Sequence, residues 1–321
     1  MKVLITDMRH SSIEEERRVL EPAGVVIDTT FSESEGELIA NGRGAVGFLV
    51  SYARITRKVM ESLPELKIIV KYGIGVDNID VEAAKDLGKM VANVPDYCVE
   101  EVALQSLTLT VAGLRLLYPF AEAVKNGNWV ENLAREKLHR PSTLTAGTLG
   151  FGRIARRFAS YLRPITARIL FYDPFVSDPG SEYGYCEAAD SLADLIDRCQ
   201  ILSIHAPLKA KTLNLLDSEL LGRARGVMLI NTSRAGIVER EALEAALDDG
   251  RVAFYGADVF WQEPADFSDP STLAFLRRRN VLVSPHMSWY SEDSEREVRR
   301  KAAEEILRVL QGTKPLHPIS S

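Results

Sequence analysis

The chain has 321 residues, 46% of them hydrophobic and 26% charged, with 39 Lys plus Arg against 45 Asp plus Glu for a formal charge of −6. That composition excludes a disordered tail or a collagen-like chain and leaves apolar material for roughly two domains. The mild acidity makes a nucleic-acid backbone a poor partner, and no run approaches the roughly 20 apolar residues of a membrane helix.

Met1–Asp7 reads as a short strand rather than the apolar core of a signal peptide. Strands are then predicted at Val3–Thr6, Val25–Thr30, Ala45–Val50, Lys67–Tyr72 and Met90–Val94, with helices such as Ile13–Leu20, Thr56–Leu63 and Val81–Leu87 between them. Apolar runs alternating with helices imply a parallel sheet with right-handed crossovers. This block ends near Pro95. A long helix is predicted from Val99 to about Leu117, with Pro119 expected to kink or end it. A second block follows, with six strands at Thr145–Leu149, Arg168–Tyr172, Ile201–His205, Val227–Asn231, Ala253–Ala257 and Asn280–Val283, then a charged amphipathic helix over Glu292–Leu310. The expected class is α/β, two doubly wound, Rossmann-like parallel-sheet domains. Cys98, Cys186 and Cys199 are odd in number and lack C-x-x-C spacing, so neither a disulfide framework nor a metal site is expected, and a reducing cytoplasm fits.

Two glycine loops follow strands. Gly150-Phe151-Gly152-Arg153-Ile154-Ala155 completes G-x-G-x-x-G/A, which permits a tight turn and a pyrophosphate at a helix N-terminus. Asp173, about 20 residues on at the end of the next strand, is placed to accept from adenosine ribose hydroxyls and to repel a 2′-phosphate. NAD is therefore favoured over NADP. The other loop, Gly73-Ile74-Gly75-Val76, has Asn78 where a third small residue would stand; it reads either as a backbone cradle for a small carboxylate or as an ordinary turn.

Charged groups recur just past the later strands. His286 follows Val283-Ser284-Pro285, His205 ends its strand, Arg234 follows Asn231-Thr232-Ser233, and Glu263 lies beyond Asp258. Each alone reads equally as a structural histidine or a solvated loop charge. One His, one Arg and one Glu at successive strand ends of a dinucleotide fold point together to hydride transfer on a 2-oxo acid.

These motifs, with Asp77-Asn78-Ile79-Asp80 after the first glycine loop and Asp258 to Pro264, resemble the D-isomer-specific 2-hydroxyacid dehydrogenase family over nearly the whole chain. Val94-Pro95-Asp96-Tyr97-Cys98-Val99-Glu100-Glu101 and His286-Met287-Ser288-Trp289-Tyr290-Ser291-Glu292 are most similar to its C-terminal-binding-protein-like branch. The resemblance implies a substrate domain of residues 1–98 plus 287–321, a flavodoxin-like sheet, and an NAD-binding Rossmann domain of 99–286, usually dimeric. It implies His286 as proton donor and acceptor, Glu263 pairing with it to favour the imidazolium, and Arg234 on the substrate carboxylate and carbonyl. The same resemblance places Gly150, Gly152, Arg153, Ile154, Asp173, His205, Pro207, Thr212, Thr232 and Ser233 on the cofactor, and Asp258 on the nicotinamide carboxamide. Tyr72, Gly73, Ile74, Gly75 and Val76 are implied on the substrate, with Trp289 as a wall.

Lys71 stands where many relatives have Arg, and Arg54, Arg9 and His10 also follow strands. Positive charge there suits a substrate with a second anionic group, a phosphate, phosphonate or carboxylate, or else is solvated surface. The alternative to an enzyme is an NAD(H)-sensing corepressor of the C-terminal-binding-protein kind with little turnover.

Overall fold

The computed structural model describes residues 1–7, 12–31, 34–129 and 138–319. They divide into an N-terminal unit, Met1–Cys98 with Tyr290–Ser321, and a central unit, Val99–Trp289.

The N-terminal unit holds five parallel strands, β1 (Lys2–Ile5), β2 (Val26–Thr29), β3 (Ala45–Val50), β4 (Ile68–Lys71) and β5 (Met90–Ala92), in the order β2-β1-β3-β4-β5. Between them run α1 (Glu14–Leu20), α2 (Glu35–Gly42), α3 (Arg57–Glu61) and α4 (Val81–Asp86). β3, almost wholly apolar, lies mid-sheet and is buried along nearly its length, as a strand covered on both faces must be. Helix starts carry local caps: Ser34, Thr56 and Asp80 accept from the amides of Glu37, Val59 and Ala83. α2 is not among the helices predicted above. Gly36 and Gly42 dilute its periodicity, but Ser34-x-x-Glu37 is the residue pattern of a capping box and marks its start.

The C-terminal helix, Glu292–Leu310, returns to this unit against α1 and β4. Its Arg299 lies between them and donates to the carboxylate of Glu16 through Nε (3.0 and 3.2 Å) and a terminal nitrogen (2.7 Å). The Tyr72 hydroxyl donates to the same carboxylate at 2.7 Å. The Arg299 and Glu16 side chains are 4% and 0% exposed, so the pair sits in low dielectric with its lone pairs and protons satisfied internally. Beyond the helix, the tail pairs with β5: Asn93 N donates to His317 O and Ile319 N to Val91 O.

The central unit begins with α5 (Val99–Leu114) and α6 (Leu117–Lys125), bent by 65°. The break is at Leu116, whose φ of +48° is left-handed, and not at Pro119. Pro119 occupies the first turn of α6, where a missing N–H costs no helical bond. Seven parallel strands follow: β6 (Thr145–Leu149), β7 (Arg168–Tyr172), β8 (Cys186–Ala188), β9 (Ile201–Ile204), β10 (Val227–Asn231), β11 (Val252–Ala257) and β12 (Val281–Val283), in the order β12-β11-β10-β9-β6-β7-β8. The seventh, β8, was not expected. It is a three-residue edge strand with two exposed residues, too short for an apolar run. α7 (Arg153–Leu162), α8 (Leu192–Arg198), α9 (Ser218–Gly222), α10 (Arg240–Asp248) and α11 (Pro270–Leu276) connect the strands. The division before the C-terminal helix falls after Trp289 rather than after His286. The physical reason is that Met287 and Ser288 donate their amides to Asp258 of the central unit. No single helix among the described residues is long and apolar enough to cross a membrane.

Removing one partner from a buried pair strands the other, so Arg299→Ala is expected to cost about 3–5 kcal/mol in urea unfolding; a loss below about 1 kcal/mol would contradict a buried, exclusive pairing.

Candidate active site

In the central sheet the chain turns in opposite directions after β6 and β9, which lie side by side, and crevices for ligands open at such switch points. The glycine loop leaves β6 here. Gly150 has φ +92°, and a Cβ on it would stand 2.9 Å from the carbonyl oxygen of His205, so no larger residue fits. Gly152 faces open space, so a ligand can approach its backbone. It is also the N-cap of α7, and no side chain caps that helix, leaving its first-turn N–H groups for an anion. Arg153 is exposed and Ile154 half-buried in that first turn, while Ala155 is fully buried. Asp173 ends β7. Its Oδ2 accepts from Phe151 N and its Oδ1 from Phe175 N, both at 2.9 Å, which fixes the carboxylate with lone pairs left for ribose hydroxyls. An uncapped helix start, an open glycine backbone and an oriented acid fit a dinucleotide.

His205 ends β9 with its Nε2 2.9 Å from Ser203 Oγ and its ring 5.4 Å from that of Phe158. Burial pushes its imidazole down to about 3. The Thr212 hydroxyl closes the turn after it by donating to Pro207 O at 2.7 Å. Thr232, almost buried, shares a hydrogen bond with Ser106 Oγ, and Ser233 Oγ donates to Ala206 O. These hydroxyls knit the loops of the switch point together.

Arg234, Glu263 and His286 follow the next strands. After β10, the Asn231 side chain accepts from Ser233 N and donates to Arg234 O, both at 3.0 Å, closing the turn that presents Arg234. After β11, Phe260, Trp261 and Phe275 pack edge to face at 5.4–6.0 Å, and Trp261 Nε1 donates to Val238 O, giving the Glu263 loop a rigid base. Glu263 Oε1 accepts from Phe260 N, and Oε2 lies 2.5 Å from His286 Nδ1. Burial pushes the Glu263 carboxyl up. The bond to His286, that residue's charge, the Phe260 amide and the charge of Arg234 outweigh burial and hold it below its ordinary value. A carboxylate only accepts, so Nδ1 carries the proton and Nε2 is left to give or take one. His286 itself adopts φ +55°, after a turn in which its amide donates to Ser284 O.

Asp258 holds that turn. Its side chain is fully buried, with Oδ1 accepting from Ser284 Oγ and Met287 N and Oδ2 from Ser288 N. Asp258, expected on the cofactor carboxamide, is engaged here with Ser284 and the backbone around His286. Trp289, half-buried, closes the same segment.

In the N-terminal unit, Gly73 has φ +150° and its carbonyl accepts from Val94 N. The Ile74 carbonyl accepts from Asn93 Nδ2 at 2.7 Å. Among the described residues the N–H groups of Gly75 and Val76 donate to nothing, as an anion cradle requires. Two residues expected on the substrate have partners within the protein. Lys71 directs its ammonium to Ser51 O and, at 2.9 Å, Asn78 Oδ1, and Tyr72 is buried on Glu16. Strand alternation past β4 turns Tyr72 inward toward α1. Arg54 is exposed and, among the described residues, makes no hydrogen bond or ion pair, although its charge helps hold Glu35 below the usual carboxylate range. Arg9 and His10 lie outside the described residues. Reading the sequence alone passed over Asn93 as a holder of the Gly73 loop; its place just past β5, before Pro95, was the available signal.

A family model described as the D-isomer specific 2-hydroxyacid dehydrogenase, NAD binding domain, matches residues 107–288. The chain is 31% identical over 97% of its length to D-3-phosphoglycerate dehydrogenase from Methanocaldococcus jannaschii, of which it spans only 58%. It is 29% identical over 89% of its length to (S)-sulfolactate dehydrogenase from Chromohalobacter salexigens, covering 91% of that protein. The crystal structure of TT0316 protein from Thermus thermophilus superposes with a TM-score of 0.86 at 28% identity, covering 99% of this chain and all of that one.

Two outcomes test this geometry. The unfolded chain binds a proton near pH 6.5 that buried His205 refuses down to about 3, so the folded imidazole stays neutral in an NMR titration to pH 5 and its contribution to stability fades as pH falls below about 6.5; a folded-state midpoint near 6.5 would contradict its burial. Asp258→Asn turns an acceptor into a donor, and hydrogen exchange at Met287 and Ser288 is expected to accelerate roughly tenfold or more; unchanged protection would show that the carboxylate does not hold the turn.

Proposed function

Because the chain belongs to the D-isomer specific 2-hydroxyacid dehydrogenase family, we propose that it interconverts a 2-oxo acid and the D-2-hydroxy acid with NAD(H). The observation that carries this reading is the His286–Glu263 pair, 2.5 Å apart, with the charge of Arg234 acting on the same carboxylate. The central unit takes the cofactor: α7's N-terminus, Gly150 and Gly152 hold the pyrophosphate and Asp173 the ribose, where it would repel the 2′-phosphate of NADP. Bound NADH supplies a hydride to the carbonyl carbon. His286 Nε2 gives its proton to the carbonyl oxygen as negative charge develops there, and takes it back in the reverse direction. Glu263 keeps the ring oriented and stabilises the imidazolium, as a hydrogen-bonded carboxylate does for a histidine base. Arg234 holds the substrate carboxylate and the carbonyl oxygen.

The substrate in this reading carries a second anionic group, and Arg54 meets it. Lys71 has partners within the protein while Arg54, among the described residues, has none, and two relatives are named for phosphoglycerate and sulfolactate, each with a second strongly acidic group. A homodimer is supported by Leu104, Val111, Leu117, Tyr118, Val124 and Trp129, apolar side chains of α5, α6 and the turn after it that are 40–82% exposed. Three buried cysteines that form no disulfide suit a cytoplasmic setting.

His286→Ala and Arg234→Ala are expected to lower kcat by roughly 10²–10⁴ while NADH affinity stays within about threefold; an equal loss of NADH binding would contradict these roles. Arg54→Ala is expected to raise KM for 3-sulfopyruvate roughly tenfold, and a wild-type preference for monoanionic aliphatic 2-oxo acids would remove the second-anion reading.

A further inference from the structure

The N-terminal sheet has its own switch point, between β1 and β3, where the chain turns in opposite directions. Asp7 follows β1, and Ser51–Arg54 follows β3. Asp7 is 2% exposed, and its carboxylate reaches across the switch point. Its Oδ1 accepts from Ser51 N at 2.9 Å, and its Oδ2 accepts from Tyr52 N and, at 3.0 Å, from Ala53 N. Thr6 Oγ1 donates to the same group at 2.7 Å. Among the described residues its bonds are to these donors and not to a cation.

The carbonyls of the segment are held from the opposite side. Ser51 O accepts from Lys71 Nζ and Asn78 Nδ2, and Ala53 O accepts from Asn78 Nδ2 at 2.7 Å. Ile55 is fixed next, its amide donating to Asn78 O and its carbonyl accepting from Asp80 N. Arg54 therefore springs from backbone pinned on both flanks, while among the described residues its own guanidinium makes no hydrogen bond or ion pair. A long cation on a mobile loop must be ordered by each substrate it binds. One on a fixed backbone has most of that cost removed, and it discriminates among ligands better for the same reason.

We propose that Asp7 is a positioning residue for substrate choice: by gathering the amides of Ser51, Tyr52 and Ala53 it fixes the origin of Arg54, the specificity-determining cation for a second acidic group. This rests on the Arg54 reading above. Asp7→Asn keeps the shape but turns an NH₂ toward amides that need an acceptor.

The test is steady-state kinetics with NADH and two probes, 3-sulfopyruvate, which has the second anion, and pyruvate, which lacks it. Asp7→Asn is expected to raise KM for 3-sulfopyruvate by about tenfold at a kcat within about twofold, and to leave kcat/KM for pyruvate within about twofold. Combined with Arg54→Ala it adds nothing further, because both changes remove one interaction. Asn78→Ala loosens the same segment from its carbonyl side, shifts KM in the same sense, and decides the matter if Asp7→Asn does not fold. Equal losses on both probes, or full additivity with Arg54→Ala, would overturn the positioning role while leaving Arg54 in place. An Arg54→Ala enzyme with unchanged KM for 3-sulfopyruvate would overturn the Arg54 reading itself, and the inference with it.

Discussion

The carboxylate of Asp258, shut away at the end of β11, accepts from Ser284 Oγ and from the amides of Met287 and Ser288. The chemistry of the central unit hangs on those bonds. A buried carboxylate must be satisfied, and the donors that satisfy this one are the backbone on either side of His286. Gln105 adds a bond from α5 to Ser284 Oγ at 3.1 Å. Held so, His286 sits at φ +55° with Nδ1 on Glu263, and a histidine tolerates that backbone where a β-branched residue would not. The orientation of one imidazole is thus set by a second carboxylate that never touches it.

The N-terminal unit uses the same device twice. Asp7 gathers the amides after β3, and Glu16 joins α1 to the C-terminal helix and to Tyr72 at the root of the Gly73 loop. Such buried groups bind strongly because nothing competes with them, and each is costly to break. The many surface pairs, such as Arg168 and Arg198 on Glu187, are half exposed and screened, and contribute little by comparison.

What could be read from the sequence follows from what each signal depends on. Strand runs such as Ala45–Val50 and Val227–Asn231 match their elements end to end because burial on both faces leaves an unbroken apolar run. The Gly150 loop and Asp173 were legible because the turn and the helix start that use them are local. Three-residue β8 was not legible, since an edge strand with one buried side chain leaves no pattern. Pro119 misled because it marks a first turn as readily as a break, and the break belongs to Leu116. The contacts of Asp258, Asp7 and Tyr72 within the protein were not legible for one common reason. Partners of each lie 26 or more residues away, and no local pattern tells an acid at a strand end that meets a ligand from one that meets the backbone of a distant loop.

As proposed, a hydride moves between NADH and the carbonyl carbon of a 2-oxo acid while His286 handles the proton. The most direct measurement is a single turnover with NADH deuterated at C4 and 3-sulfopyruvate, with pyruvate in parallel, followed by mass and NMR analysis of the product. The account predicts one deuterium on C2 of a D-hydroxy acid, a hydroxyl proton that comes from solvent, and faster transfer to the sulfonated substrate. NADH binding without transfer to either acid, or a reduced product lacking deuterium at C2, would contradict it.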